Sequence, residues 1–317
     1  MSVINYIAIS TQALSSIFFI GATGYFLKLG SRELQVLARI NVSVFTPSLL
    51  FSKISRSLDR ETLYDLWLIP ILYLVLGAAG LEWTRLGGRF FGLTDAFRRL
   101  CSVAVYFSNV NTILIPIIEG IAASPDSRFL LRDRDDTPQK MADRAIAYGM
   151  IIGIMNNLLR WSVGVAMMTP PKSGDTTLLA LGAQLAIKRS PEPQSSQGIS
   201  TTERYVSERD QNRGIVLVVL GRFVVVPLCC CIVLLSIHRF APWLVPLLRA
   251  DPMLFLTLAI VSATPPAVNL LTVAQKVKMY EGESARILSY SYAIGMFVLS
   301  VEVSVFLYLA SLLSSGA

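Results

Sequence analysis

The sequence predicts an all-α membrane protein with about eight transmembrane helices. Three observations carry that prediction. The 317-residue chain is 53% hydrophobic and only 15% charged, where a soluble globular domain carries about a quarter charged residues. Several apolar windows reach the roughly 20 residues a helix needs to cross about 30 Å of hydrocarbon. The basic residues behind the net charge of +7 sit in short connectors beside those windows, where they orient spans. They form no patch interleaved with aromatics, so nucleic acid is excluded as a partner and the lipid bilayer is implied.

The first span, at about 6–28, contains the apolar run Ile7 to Leu27, with no charge ahead of it and Lys28 and Arg32 behind it. A cleaved signal peptide has a positive leading region and a shorter core, so this run reads as a first transmembrane helix with its N-terminus outside. Further spans fall at about 34–56, 65–91, 98–122, 142–168, 214–237, 251–275 and 286–313. One set of connectors holds Lys28, Arg32, Arg85, Arg89, Arg98, Arg99, Lys172, Lys188, Arg189, Arg204, Arg209, Arg213, Lys276, Lys278 and Arg286. The opposite 123–141 loop mixes Arg128, Arg132, Arg134 and Lys140 with Asp126, Asp133, Asp135 and Asp136. The positive-inside rule then puts the first set in the cytosol.

Residues 169–213 break the pattern. Pro170-Pro171 opens the stretch, and Ser190 to Gly198 is rich in Pro, Ser and Gln, a composition that buries too little apolar surface to fold alone. It reads as a cytosolic linker. The apolar remnant 177–187 inside it is eleven residues long, about 16 Å as a helix, too short to cross. The expected organisation is therefore a five-helix N-terminal part over 1–168, the linker 169–213, and a three-helix C-terminal part over 214–317.

Two spans carry helix-breaking chemistry. The fourth contains Asn109, Asn111 and Pro116, and the seventh contains Thr264-Pro265-Pro266-Ala267-Val268-Asn269. Proline removes a backbone donor and clashes with the turn before it. Backbone groups freed at mid-membrane are tolerated only where they line a cavity or are buried in protein. Paired broken helices point to a midplane binding site, and half-helix N-termini there suit a carboxylate. A plain kink, with the asparagines bonding neighbouring helices, is the alternative, and it stays open for the fourth span in particular.

Charges inside spans come next, because intramembrane ionisable groups are costly. Glu302 lies near the centre of the last span and reads as a hydrogen-bonded structural carboxyl, with proton coupling as the alternative. Arg160 and Arg222 each sit roughly 12 Å inside a cytosolic helix end and either snorkel outward or project inward. Gly149 and Gly153 form a small-xxx-small pair that lets helices approach. Cys101 and Cys229 to Cys231 read as small buried hydrophobes, since adjacent residues on a helix diverge and cannot jointly build a metal site. The single His238 reads as a solvated interfacial side chain. Cofactors and metals are therefore not expected. The absence of clustered His, Asp and Glu argues against an enzyme, and the even span count with a Pro-Pro break argues against a seven-helix receptor.

Several segments together resemble the auxin efflux carrier family, especially its PIN-like branch and fungal relatives. Val44-Phe45-Thr46-Pro47-Ser48-Leu49-Leu50-Phe51-Ser52-Lys53 resembles the second-helix signature. Phe107-Ser108-Asn109-Val110-Asn111 resembles the fourth helix, and Leu158 to Ser162 the end of the fifth. Leu179 to Ala186 is similar to the end of the seventh, Arg222 with Pro227 to the eighth, and Thr264 to Asn269 with Gln275 to the ninth. The resemblance implies ten helices in two inverted repeats, with the fourth and ninth crossing at the substrate site. This chain departs from it where the sixth and most of the seventh helix would stand.

The expected function is a secondary transporter of small organic anions such as auxin-type carboxylates. Asn109, Asn111, Pro116, Pro265, Pro266 and Asn269 would line its site, while Glu302, Arg160 and Arg222 would serve as coupling or structural charges. The resemblance favours the endoplasmic reticulum membrane over the plasma membrane, and a homodimer is compatible with it. The alternative is a shortened member that does not transport and acts only as a membrane partner of a full-length relative.

Overall fold

The computed structural model describes residues 66–169 and 206–315, with four isolated positions before them. The first two expected spans, the second-helix signature and the remnant 177–187 lie outside the described residues. Nine helices order those that are described: α1 (Leu68–Phe90), α2 (Asp95–Tyr106), α3 (Val110–Ala123), α4 (Pro138–Met168), α5 (Glu208–Phe240), α6 (Pro246–Ala250), α7 (Pro252–Ala263), α8 (Asn269–Val277) and α9 (Glu281–Ser315). No strand occurs among the described residues. Among the described residues four helices are long and apolar enough to cross a membrane: α1, α4, α5 and α9. α3 and α7 are shorter apolar helices. The chain is an all-α, multi-pass integral membrane protein.

Local chemistry explains the helix starts. Thr94, Thr137 and Ser207 each accept a hydrogen bond from the backbone N–H three residues on, and Asp251 accepts from Met253, so each cap satisfies an orphan donor. Proline stands in the first turns of α4 and α7, where its missing N–H costs nothing. The Ser207 cap, with Glu208 and Asp210 in the first turn, starts α5 at Glu208. The last residues assigned to the linker are therefore helical, and that boundary moves back from 214.

The order long, broken, long occurs twice: α1, α2/α3, α4, then α5, α7/α8, α9. Two apolar half-cores follow from it. One gathers α3, the first part of α4, the end of α5, α7 and the last part of α9. The other gathers α2, the end of α4, the start of α5, α8 and the start of α9. They meet at the two helix breaks, where Ser108, Asn109, Asn156, Arg160, Arg222 and Thr264 are all buried. The molecule thus has a polar waist between two apolar ends.

Close packing holds the waist together. A Cβ on Gly149 would overlap Leu114 Cδ2, and Leu114 is itself fully buried, so α3 sits directly on α4. Gly149→Ala is expected to cost about 1–3 kcal/mol through overpacking. Gly282→Ala, with nothing near its Cβ, should be neutral. Comparing the thermal unfolding midpoints of the two variants checks this.

An ion-pair latch ties the far loop to the bundle. Arg144 donates through both terminal nitrogens to Asp136, at 3.1 and 2.8 Å, and through Nε to Asp251 at 2.5 Å. Tyr148 donates to the same Asp251 oxygen at 2.7 Å. Burial pushes the Asp136 carboxyl up, but hydrogen bonds from Arg144, from the backbone N–H of Arg132 and from that of Thr137 outweigh it and hold it below the usual range. A depressed folded-state value contributes stability that is present above about pH 4 and lost as pH falls through the folded value. Unfolding in detergent between pH 6 and 3 should show that loss, and Asp136→Asn should flatten it.

Candidate functional site

The fourth span breaks at Phe107–Asn109 and the seventh at Thr264–Val268. The two breaks pair with each other. Ser108 and Pro266 form an antiparallel bridge. Asn109 N–H donates to Pro265 O at 3.0 Å and Ala267 N–H to Phe107 O at 2.9 Å. The broken spans therefore cross by sharing backbone hydrogen bonds, which answers how unsatisfied peptide groups survive at this depth.

The carbonyls left at the ends of α2 and α7 are taken by one side chain. Arg222 donates through Nη1 to Val105 O at 3.1 Å, through Nη2 to Val261 O at 3.3 Å, and to Thr264 O through Nε at 2.9 Å and also through Nη2. The break in the fourth span has its own donors. Asn156 Nδ2 donates to Ser108 O at 2.7 Å, Arg160 Nη2 to the same oxygen at 3.5 Å, and Tyr73 Oη to Asn156 Oδ1 at 2.8 Å. Arg160 also lies 5.8 Å from the Phe107 ring centroid. Its Nε is buried with no partner. Neither arginine snorkels, since they are 4% and 2% exposed. Each sits within a π-helical turn, Arg160–Gly164 in α4 and Gly221–Val225 in α5, an irregularity frequent at functional positions.

Among the described residues no carboxylate forms an ion pair with either arginine. The two guanidiniums bring about two positive charges. The C-termini of α2 and α7 bring roughly half a negative charge each, and the N-termini of α3 and α8 about half a positive charge each. The dipole ends cancel, and the waist keeps a positive field.

The sequence-predicted residues divide clearly. Asn109, Pro265 and Pro266 are buried at the crossing, and Asn109 Nδ2 donates to Tyr292 Oη at 2.5 Å. Asn269 starts α8, half-buried. Asn111 lies in α3, its side chain outside the described residues. Pro116 lies inside α3, beyond the break. Carbonyl capture by Arg222, Asn156 and Arg160, rather than proline, stabilises the opening of the fourth span. Glu302 differs from the expectation of a hydrogen-bonded carboxyl, because its Oε2 is buried without a partner. His238 Nδ1 is likewise buried and unpartnered, so that side chain is not simply solvated. Cys101 and Cys230 are buried free thiols, and no metal-binding cluster occurs among the described residues.

Tyr73, Asn156 and Tyr292 were not singled out from the sequence. Asn156 stands four residues before Arg160, one helical turn away on the same face, and that spacing was a legible signal. The tyrosines carried none. A cleft beside the crossing is lined by Tyr73, Tyr106, Ser108, Arg222, Leu258 and Ser262 among others, with about 30 Å³ open to water centres. That is room for roughly two waters.

Residues 9–177 match the family described as membrane transport protein. This chain belongs to that family. It is 31% identical over 144 residues to an uncharacterized transporter of Schizosaccharomyces pombe, covering 45% of this chain and 32% of that one. An uncharacterized transporter of Saccharomyces cerevisiae is 24% identical over 136 residues, 43% of this chain and 32% of its own. One from Methanothermobacter thermautotrophicus is 29% identical over 119 residues, 36% and 39% respectively. The chain thus spans about a third of the length of the curated relatives it matches. No solved structure matches it.

Proposed function

We propose that this family member is a secondary carrier of small organic anions, such as auxin-type carboxylates. One observation carries the reading: two buried guanidiniums stand at a crossing of broken helices, and among the described residues no carboxylate is paired to them. An anion entering the waist would meet a positive field in a low-dielectric setting, where charge interactions are strong. Tyr73 edge-on to Tyr106 at 5.7 Å between centroids, and Tyr106 tilted against Phe107 at 4.8 Å, offer faces for an aromatic ring. The present cleft is smaller than any aromatic acid, so entry requires the half-cores to shift, as rigid-body closures do. The basic ends of α2, α5, α8 and α9 face the cytosol in this reading. The endoplasmic reticulum membrane and a homodimer belong to it through the family resemblance.

The test is uptake or efflux of labelled indole-3-acetate in vesicles carrying the inserted chain. Saturable flux above empty vesicles is expected, and its absence from correctly inserted protein would sink the reading. A second reading, a shortened member that supports a full-length relative, is motivated by the interval between Thr169 and Val206, where two family helices would stand. Flux seen only on co-expression with a longer relative would favour it.

A further inference from the structure

Six buried side-chain polar atoms lack a hydrogen-bond partner among the described residues, and three of them are on α9: Ser284 Oγ, Ser291 Oγ and Glu302 Oε2. Residues 284 and 302 are about five turns apart, and 284 and 291 about two, at 3.6 residues per turn. All three share one face. Gly295, on the same face, shows where it points: a Cβ there would lie 2.7 Å from the Phe223 ring, in the π turn of α5. Other serines of α9 spend their hydroxyls on their own helix, Ser289 on Ala285 O at 2.9 Å and Ser304 on Ser300 O at 2.8 Å. Ser284 and Ser291 do not, although both are wholly buried. The seam between α9 and α5 is therefore threaded with unspent hydrogen-bonding capacity that ends at a carboxyl. Buried groups of this kind are commonly met by water.

Among the described residues Glu302 faces few charges. From α5, Arg222 and Cys231 interact with it, while α7 has no charged residue. Lys276 of α8 lies in the opposite half-core's helix, and Asp126 and Arg128 of the turn after α3 are exposed. Arg222 directs its donors at the helix-break carbonyls, so it gives Glu302 charge but no hydrogen bond. A bare carboxylate in this position cancels part of the waist's positive field, and its Oε2 finds no hydrogen bond among the described residues in return. With a proton added, the full field is restored.

We propose that Glu302 is a proton-binding site linked to the anion site, reached along the α9–α5 seam, so that one proton and one organic anion bind together. This rests on the carrier reading above. The balance is simple: the carboxylate takes one proton, no other bond changes, and the proton's charge offsets that of the anion. Linkage makes the effect reciprocal, since an anion in the waist raises proton affinity by the factor by which a proton raises anion affinity.

The test uses the purified full chain in lipid nanodiscs and naphthalene-1-sulfonate, a probe ionised throughout the working range, so that pH acts only on the protein. Its affinity is expected to tighten by about 5- to 100-fold as pH falls, and in Glu302→Gln to be tight and pH-independent. In parallel, dicyclohexylcarbodiimide, which modifies protonated carboxyls in apolar surroundings, should label Glu302 by mass mapping, more at low pH and more with the sulfonate present. Sulfonate binding whose pH dependence survives in Glu302→Gln overturns the role of Glu302 and leaves the carrier reading standing. So does failure of carbodiimide to label Glu302 at any pH. No sulfonate binding at any pH overturns the anion site itself, and with it the linkage.

Discussion

Arg222→Ala is expected to be the most damaging single substitution in the described part of the molecule, lowering stability by about 3–5 kcal/mol and abolishing anion flux. Its guanidinium is the donor for Val105 O and Thr264 O, and the alanine leaves both carbonyls buried at a helix break, while Val261 O keeps the Thr264 hydroxyl at 2.9 Å. Each orphaned acceptor costs about 1–3 kcal/mol. Arg222→Lys should fall between, because an ammonium keeps the charge but lacks the planar fork that reaches two helices at once. Thermal unfolding of the three proteins in the same detergent gives the ranking. An alanine variant as stable as the parent would show that the crossing holds without this side chain.

Arg160→Gln is expected to behave in the opposite way, with a small loss of stability and a large loss of anion affinity. The hydrogen bonds of Arg160 are long, 3.3 Å to Asn157 Oδ1 and 3.5 Å to Ser108 O. Ser108 O keeps its 2.7 Å bond from Asn156 without it, so no carbonyl is orphaned and about 1 kcal/mol covers the loss. The substitution removes one of the two buried guanidiniums of the waist, however, and a hydrogen bond to a charged partner is worth about 1.5–3 kcal/mol, or roughly 10- to 100-fold in affinity. Titration with naphthalene-1-sulfonate, paired with unfolding, separates the effects. Equal damage to both measurements would place Arg160 with Arg222 as scaffold rather than as an anion-facing cation.

The contrast rests on the free capacity of each arginine. Arg222 directs its donors at the backbone, whereas Arg160 retains an unpartnered Nε beside the ring of Phe107. The same waist thus needs one cation to exist and has another to spare.

Length and hydropathy alone were enough to place α1, α4, α5 and α9 and to mark the Pro265-Pro266 break, because these depend on local composition against a fixed bilayer thickness. The opening of the fourth span was legible only in part: its asparagines marked the region, while Pro116 drew attention to a turn that stays helical. Nothing local forces the chain open at Ser108. It opens because Asn156, Arg160 and Arg222, distant in sequence, supply donors to its carbonyls, and because Pro265 and Ala267 pair with it across the bundle. The burial of both arginines, the roles of Tyr73 and Tyr292, and the unpartnered face of α9 belong to the same class. Each depends on which helix lies opposite, and hydropathy along one chain contains no information about neighbours across the bundle. An apolar run is a property of consecutive residues, but a charge becomes functional or structural only through the atoms that the fold places around it.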